Sequence, residues 1–242
     1  MQIDEEFVMI AGKTFLVTGA NRGIGRALVD EALNRGAARV YAGTRQPWTH
    51  PDERVTPLIL DVTDPAQIER AAGQVQELDV LVNNAGIARY EDLSERSALE
   101  QHLAVNLYGT YEVTQAFLPL LAESKGAVVN NLSLVAFAPL PIIPAYSISK
   151  AAALSLTQSM RALLARQNIS VHAVLIGPTD TDMNKGFDIP KASTEAVARA
   201  IFDGLENNEE DIFPDPLSQT MAESWRGGPA KAMERENAAF VA

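Results

Sequence analysis

The apolar run TFLVT, Thr14–Thr18, leads directly into TGANRGIG, residues 18–25. Its centre, Phe15-Leu16-Val17, has no polar alternation, so the strand it predicts must be covered on both faces. Strands of that kind belong in parallel sheets, whose neighbours are joined by long, usually helical crossovers. The rest of the chain supplies that alternation. Further strands are expected at Arg39–Ala42, Val55–Leu60, Asp79–Asn83, Ala127–Leu132, Val171–Leu175 and Asp211–Pro214. Helices are expected between them at Ile24–Arg35, Pro65–Gln76, Ser97–Ala122, Ala145–Arg166 and Thr194–Glu206. The expected fold class is therefore α/β, a doubly wound parallel sheet of about seven strands with helices on both faces.

One domain over residues 1–242 is expected, since no internal repeat or linker interrupts the pattern. The stretch from about residue 215, PDPLSQTMAESWRGGPAKAMERENAAFVA, mixes Pro, Gly and charge with isolated apolar residues. It reads as a surface tail held down by Trp225.

Composition removes several functions. There are no cysteines, which excludes thiolate nucleophiles and Cys-based metal sites, and His50, His102 and His172 lie too far apart to give a ligand spacing. A formal charge of -11 argues against nucleic acid as a partner. The start, MQIDEEFVMIAGK, is acidic ahead of a short apolar run, the reverse of a secretory leader. No apolar run approaches the roughly 18–20 residues that span a bilayer. The expectation is a cytoplasmic protein without membrane contact.

In an open parallel sheet, ligands bind beyond the carboxyl ends of the strands. Polar and glycine punctuation collects there: Gly19, Gly23 and Gly25 after the first strand, Thr44 and Arg45 after the second, Asp61 after the third. Asn84-Ala85-Gly86 follows the fourth, Ser133 the fifth, and GPTDTDM, Gly177–Met183, the sixth.

TGANRGIG, NNAG at Asn83–Gly86, VN at Val105–Asn106, Ser133, and YSISK at Tyr146–Lys150 together resemble the short-chain dehydrogenase/reductase family. The likeness runs from about residue 11 to about residue 213 and includes the family's 13-residue step from serine to tyrosine. It implies a Rossmann-type fold that binds NAD or NADP, with Asn106, Ser133, Tyr146 and Lys150 as the catalytic four. It also implies cofactor contacts at Gly19, Asn21, Gly23, Ile24, Gly25, Asp61, Val62, Asn83, Ala85, Gly86, Gly177, Thr179 and Thr181, besides Tyr146 and Lys150. Asn106, on the same basis, holds a water that links Lys150 to solvent, and Asp61 accepts from the adenine amino group. A helix-capping role is the plainer reading of Asp61, although Asp64 before Pro65 suits that task better. Relatives form dimers or tetramers through the helices that here are Ser97–Ala122 and Ala145–Arg166, so a homodimer or homotetramer is expected.

Residue chemistry adds detail. Tyr146 and Lys150, at i and i+4, share a helix face. A nearby ammonium is expected to pull the phenol below its ordinary value near 10 and toward general acid/base work. Ser133 is placed to hydrogen-bond the substrate oxygen. At the end of the second strand, where NAD-preferring proteins carry a carboxylate, Thr44 is followed by Arg45. Arg22 and Arg45 are expected to flank a 2′-phosphate, so NADP(H) is preferred over NAD(H).

Met183 and Ser193 are separated by too few residues to insert the helical lid of many relatives. An open pocket walled by Val135, Phe137, Leu140, Ile142, Ile143 and Met183, with Phe187 as a further candidate, suits an apolar carbonyl or alcohol substrate. The leading expectation is a carbonyl reductase, with an NAD-linked alcohol dehydrogenase and a non-catalytic NADP-sensing regulator as the alternatives. Ile176 stands where the family often has proline, and Leu132 where it often has serine.

Overall fold

The computed structural model describes residues 9–186 and 188–241. Seven strands form one parallel sheet in the order β3-β2-β1-β4-β5-β6-β7. They are β1 Thr14–Thr18, β2 Arg39–Thr44, β3 Val55–Ile59, β4 Val80–Asn83, β5 Ala127–Asn131, β6 Ser170–Val174 and β7 Asp211–Ile212. Phe15 of β1 is in register with Val40 of β2 on one side and with Val80 of β4 on the other. The chain reverses direction across the sheet between β1 and β4, which opens a crevice at their carboxyl ends.

Both faces of β1 are buried, as its unbroken apolar run requires. Phe15 and Val17 pack with α1 (Gly23–Asn34) and α6 (Thr194–Glu206), against Leu28, Ile201 and Phe202. Leu16 points the other way. It joins Val113, Phe117 and Leu121 of α4 (Gly109–Ser124), and Met160 and Leu164 of α5 (Pro144–Leu164). The α2 helix, Pro65–Gln74, covers the same face through Ile68 and Ala71, and starts on Asp64, whose carboxylate accepts from the amides of Ala66 and Gln67. Asp64 is thus the cap, as its place before proline suggests.

Two expectations are corrected. The long helix over Ser97–Ala122 is broken: α3 (Arg96–Leu103) passes into one π-helical turn, Ala104–Tyr108, before α4. The Gly109 amide bonds to the carbonyl of Ala104, five residues back. Single π turns of this kind mark functional positions, and this one carries Asn106.

The C-terminal stretch does lie at the surface, but it is helical and not an irregular tail. It folds into α7 (Pro216–Arg226) and α8 (Pro229–Ala238). Asp215 and Ser218 close a reciprocal capping box at the start of α7. Trp225 does anchor the segment: its indole N–H donates to Asp211 at 2.8 Å, and its ring lies 4.2 Å from that of Phe137. The second anchor is Lys231 of α8, 1% exposed, whose ammonium meets Asp211 at 2.7 Å and Glu210 and Glu234 at 3.0 Å each. Lys231 and Glu234 are thus paired within the fold, while Glu223, Arg226, Arg235 and Glu236 stay exposed.

Candidate active site

The strand ends enclose a cavity of about 760 Å³. Its floor is the glycine loop. Gly19 has φ +67°, a left-handed conformation that favours glycine, and Gly25 packs against it. A Cβ on Gly25 would fall 2.2 Å from the Gly19 carbonyl oxygen and 2.5 Å from Asn84 Nδ2. That oxygen belongs to rigid backbone, so Gly25→Ala is expected to shift the loop at a cost of about 1–3 kcal/mol. Thermal melting and dinucleotide titration check this; an unchanged melting temperature with unchanged affinity overturns it.

The start of α1 has no side-chain cap, whereas Asp64, Ser193 and Asp215 cap α2, α6 and α7. Gly23, Ile24 and Gly25 of its first turn line the cavity. Uncapped amides and the positive end of a helix favour an anion there. The cradle thus fits the pyrophosphate of a dinucleotide.

Asn84, adjacent to the expected Asn83, fastens the loop to β4. Its Nδ2 donates to the carbonyls of Thr18 at 2.9 Å and Gly19 at 3.3 Å, and its Oδ1 accepts from Asn131 at 2.8 Å. Asn83 itself is buried beneath the cavity, donating to Thr114 and Asn130. It supports the site without facing it. The period of two explains the exchange: successive residues at a strand end point to opposite sides.

Tyr146 and Lys150 project from one face of α5 into the cavity, which Ser133 also lines. The Ser133 side chain acts on the Tyr146 phenol and favours its ionised form. The Lys150 ammonium lies 5.7 Å from the Tyr146 ring centroid and donates to the Asn131 carbonyl at 2.6 Å. Without ligand, the expected acidification of Tyr146 is reversed. Burial pushes its phenol up to about 12, and the Ser133 side chain opposes this only in part. Burial likewise pushes Lys150 down to about 8. Both charged forms lose hydration, and the ammonium is bonded to a carbonyl, not to the phenol.

Asn106 sits behind the wall, not in it. Its Oδ1 accepts from the Ile87 amide, and its Nδ2 donates to the Ile87 carbonyl and to Ser149, all at 2.9 Å. The side chain clamps the loop that follows Gly86, where the sequence suggested a water ligand. Glu91, for which the sequence gives no signal, caps α5 from the same loop: Oε1 accepts from the Ala145 amide at 2.6 Å. His102 is fully buried, with its ring 6.5 Å from that of Tyr146. Its Nε2 accepts from the Arg89 amide, so Nδ1 carries the proton donated to the Ala98 carbonyl.

At the opposite end of the cavity stand the two arginines. Both line the wall, and Arg22 also reaches across the cleft to Asp182, 3.2 Å away. Thr44 is buried and donates to the Gln46 carbonyl at 2.7 Å, so it lies outside the wall. Asp61 and Val62 line the cavity with Asn21, Ala85, Gly86, Gly177, Thr179 and Thr181. The Asp61 carboxylate accepts from the amide and hydroxyl of Thr63.

Of the expected apolar wall, Val135, Leu140, Ile143 and Met183 line the cavity. Phe137 turns away to stack on Trp225, Ile142 points to solvent, and Phe187 lies outside the described residues. Leu217 and Met221 of α7 complete the wall. Asp215, the cap of α7, also accepts from the Gly177 amide at 2.7 Å. The C-terminal segment therefore contributes to the wall of the cavity. Among the described residues no group of three His, Cys, Asp or Glu side chains is arranged to hold a metal, and no helix is long and apolar enough to cross a membrane.

A family model described as short chain dehydrogenase matches residues 13–191. The chain belongs to the short-chain dehydrogenases. It is an oxidoreductase, and the parallel sheet with helices on both sides is the family's Rossmann-like fold. Short chain dehydrogenase pigC of Monascus ruber is 36% identical, over 90% of this chain and 78% of its own length. A short chain dehydrogenase from Burkholderia cenocepacia, crystallised with NADP, superposes with a TM-score of 0.87 at 34% identity, covering 95% of this chain and 98% of its own. NADPH-bound carbonyl reductase from chicken fatty liver gives a TM-score of 0.76 at 27% identity, over 81% and 88% of the two chains.

Proposed function

We propose that this short-chain dehydrogenase is an NADP(H)-dependent carbonyl reductase acting on apolar aldehydes or ketones. The observation that carries the reading is the meeting of Ser133, Tyr146 and Lys150 in one cavity with an uncapped glycine cradle. The nicotinamide, when bound, supplies the hydride. Everything else falls to the chain's own side chains. The Ser133 and Tyr146 hydroxyls, which line one cavity, receive the carbonyl oxygen between them, where its growing negative charge is stabilised. Tyr146 then gives up its proton to that oxygen, and Lys150 stabilises the phenolate left behind. The catalytic roles of these three side chains, with Asn106 as the clamp behind them, are part of the proposal.

The preference for NADP(H) rests on Arg45 and on the lack of a carboxylate at position 44, now that Arg22 is engaged by Asp182. The NADP- and NADPH-bound relatives support the same choice. Arg45→Asp is expected to raise the KM for NADPH roughly 10–100-fold while changing that for NADH far less. Equal changes in both would overturn the cofactor assignment. A panel of aldehydes and ketones assayed with NADPH and with NADH tests the activity. Consumption of neither cofactor with any carbonyl would overturn the reductase reading.

The small-molecule substrate is held by a single chain in this reading, and homo-oligomers form through α4 and α5. Tyr108, Tyr111, Ile148 and Leu163 stand exposed on or beside those helices, where a second copy would cover them.

A further inference from the structure

The chain carries 31 acidic and 20 basic Lys and Arg residues, so arginines find carboxylate partners easily. Arg26, Arg35, Arg54, Arg96, Arg161 and Arg226 all do. Three arginines line the cavity, and one of these, Arg22, is ion-paired to Asp182. Among the described residues, Arg45 and Arg89 make no ion pair. Arg45 stands at the cofactor end. Arg89 stands at the substrate end, four residues beyond Ala85, on the loop that passes beside Tyr146.

Arg89 is firmly held. Its amide donates to His102 Nε2 at 3.2 Å, and the His102 ring meets the ring of Tyr146 edge-on. Its guanidinium donates through one nitrogen to Gln101 Oε1 at 2.8 Å. That partner is neutral, so it orients the fork without cancelling its charge. The neighbouring carboxylate, Glu91, accepts from the amides of Ala145 and Leu93 and makes no ion pair with Arg89. The Arg89 side chain is exposed and lines the cavity.

We propose that the substrate is an apolar carbonyl compound with a carboxylate at the end remote from the carbonyl, and that Arg89 recognises this carboxylate. The inference rests on the reductase reading above and names its substrate class. The apolar segment lies along Leu140, Ile143 and Met183, the carbonyl reaches Ser133 and Tyr146, and the carboxylate meets the guanidinium at the rim. A planar guanidinium fork suits a carboxylate in particular. Arg89 is a specificity-determining residue here, remote from the reacting atoms.

The test compares medium-chain ω-oxo acids with their own methyl esters, using NADPH and the full chain. The acid is expected to be preferred roughly tenfold in kcat/KM, mostly through KM. The ratio should shrink as salt is added. In Arg89→Gln the acid-to-ester ratio is expected to collapse to about one, and Arg89→Lys, which keeps the charge, should restore part of it. Turnover of acid and ester at equal kcat/KM by the unaltered chain overturns the proposal and leaves the reductase reading standing. A preference that survives in Arg89→Gln also overturns it. No NADPH consumption with either partner of any pair overturns both readings together.

Discussion

Replacing Tyr146 with Phe is expected to lower kcat by roughly 10²–10⁴-fold, the range of a lost general acid, while dinucleotide affinity changes little. The substitution removes one oxygen from a half-buried side chain and retains the ring packed against His102. Ser133 keeps its place through the Val135 amide, which donates to its hydroxyl oxygen. Steady-state NADPH consumption and fluorescence titration of the dinucleotide separate the two effects. A variant that retains most of its turnover would remove Tyr146 from the chemistry and end the catalytic reading.

The pH dependence follows from the same two groups. With its phenol near 12, Tyr146 holds its proton throughout the neutral range and is set to donate, which is the task of the reductive direction. Alcohol oxidation needs the phenolate and is favoured by rising pH. Lys150, depressed to about 8, is charged below that value and loses its charge above it. A buried phenolate next to a neutral lysine has little to stabilise it. Reduction is therefore expected to be fastest below about pH 8 and to fall as pH rises through it, with oxidation gaining over the same interval. Initial rates in both directions across that range check the sign.

The order of strands and helices was legible because the periodicities differ, as the double-sided burial of Phe15, Leu16 and Val17 illustrates. Tyr146, Lys150, Ser133 and Gly25 were legible because each stands at a fixed step from a strand end or on one helix turn. What the sequence concealed was direction and partnership. Asn83 and Asn84 are the same residue type, and only the pleat decides that the second faces the cavity. Arg22 and Arg45 look alike in the chain, and only the fold brings Asp182 to one of them. Glu91 caps a helix 54 residues away, an arrangement that no local pattern announces. The C-terminal helices were missed for a similar reason, since Lys231 and Glu234 pair with residues of β7 and α5.

Lys231→Met is expected to be the most destabilising of these changes, by roughly 3–5 kcal/mol, because it removes one partner from a buried ionic cluster. The ammonium is 1% exposed and touches Asp211, Glu210 and Glu234. Arg161 also contacts Asp211 and Glu234. In the variant that single guanidinium is left facing the two most enclosed carboxylates. For a chain of this size the loss corresponds to a fall in melting temperature of about 10 °C; a fall under about 2 °C would show that the cluster is not held by its charges. The pH dependence supplies a second readout. Burial works to raise the Asp211 carboxyl, yet Arg161 and Lys231 outweigh it and hold the group below its ordinary 3.8; Glu210 is likewise held below 4.5. A depressed carboxylate contributes fully above its unfolded value and loses that contribution as pH falls through the folded one. The unaltered protein thus loses stability below about pH 4, and the two melting curves converge there. Function should follow the same latch. The helices that Lys231 secures carry Leu217 and Met221 to the cavity and bring Asp215 to the Gly177 amide. Below its melting temperature, Lys231→Met is accordingly expected to raise the KM for an apolar carbonyl more than it lowers kcat.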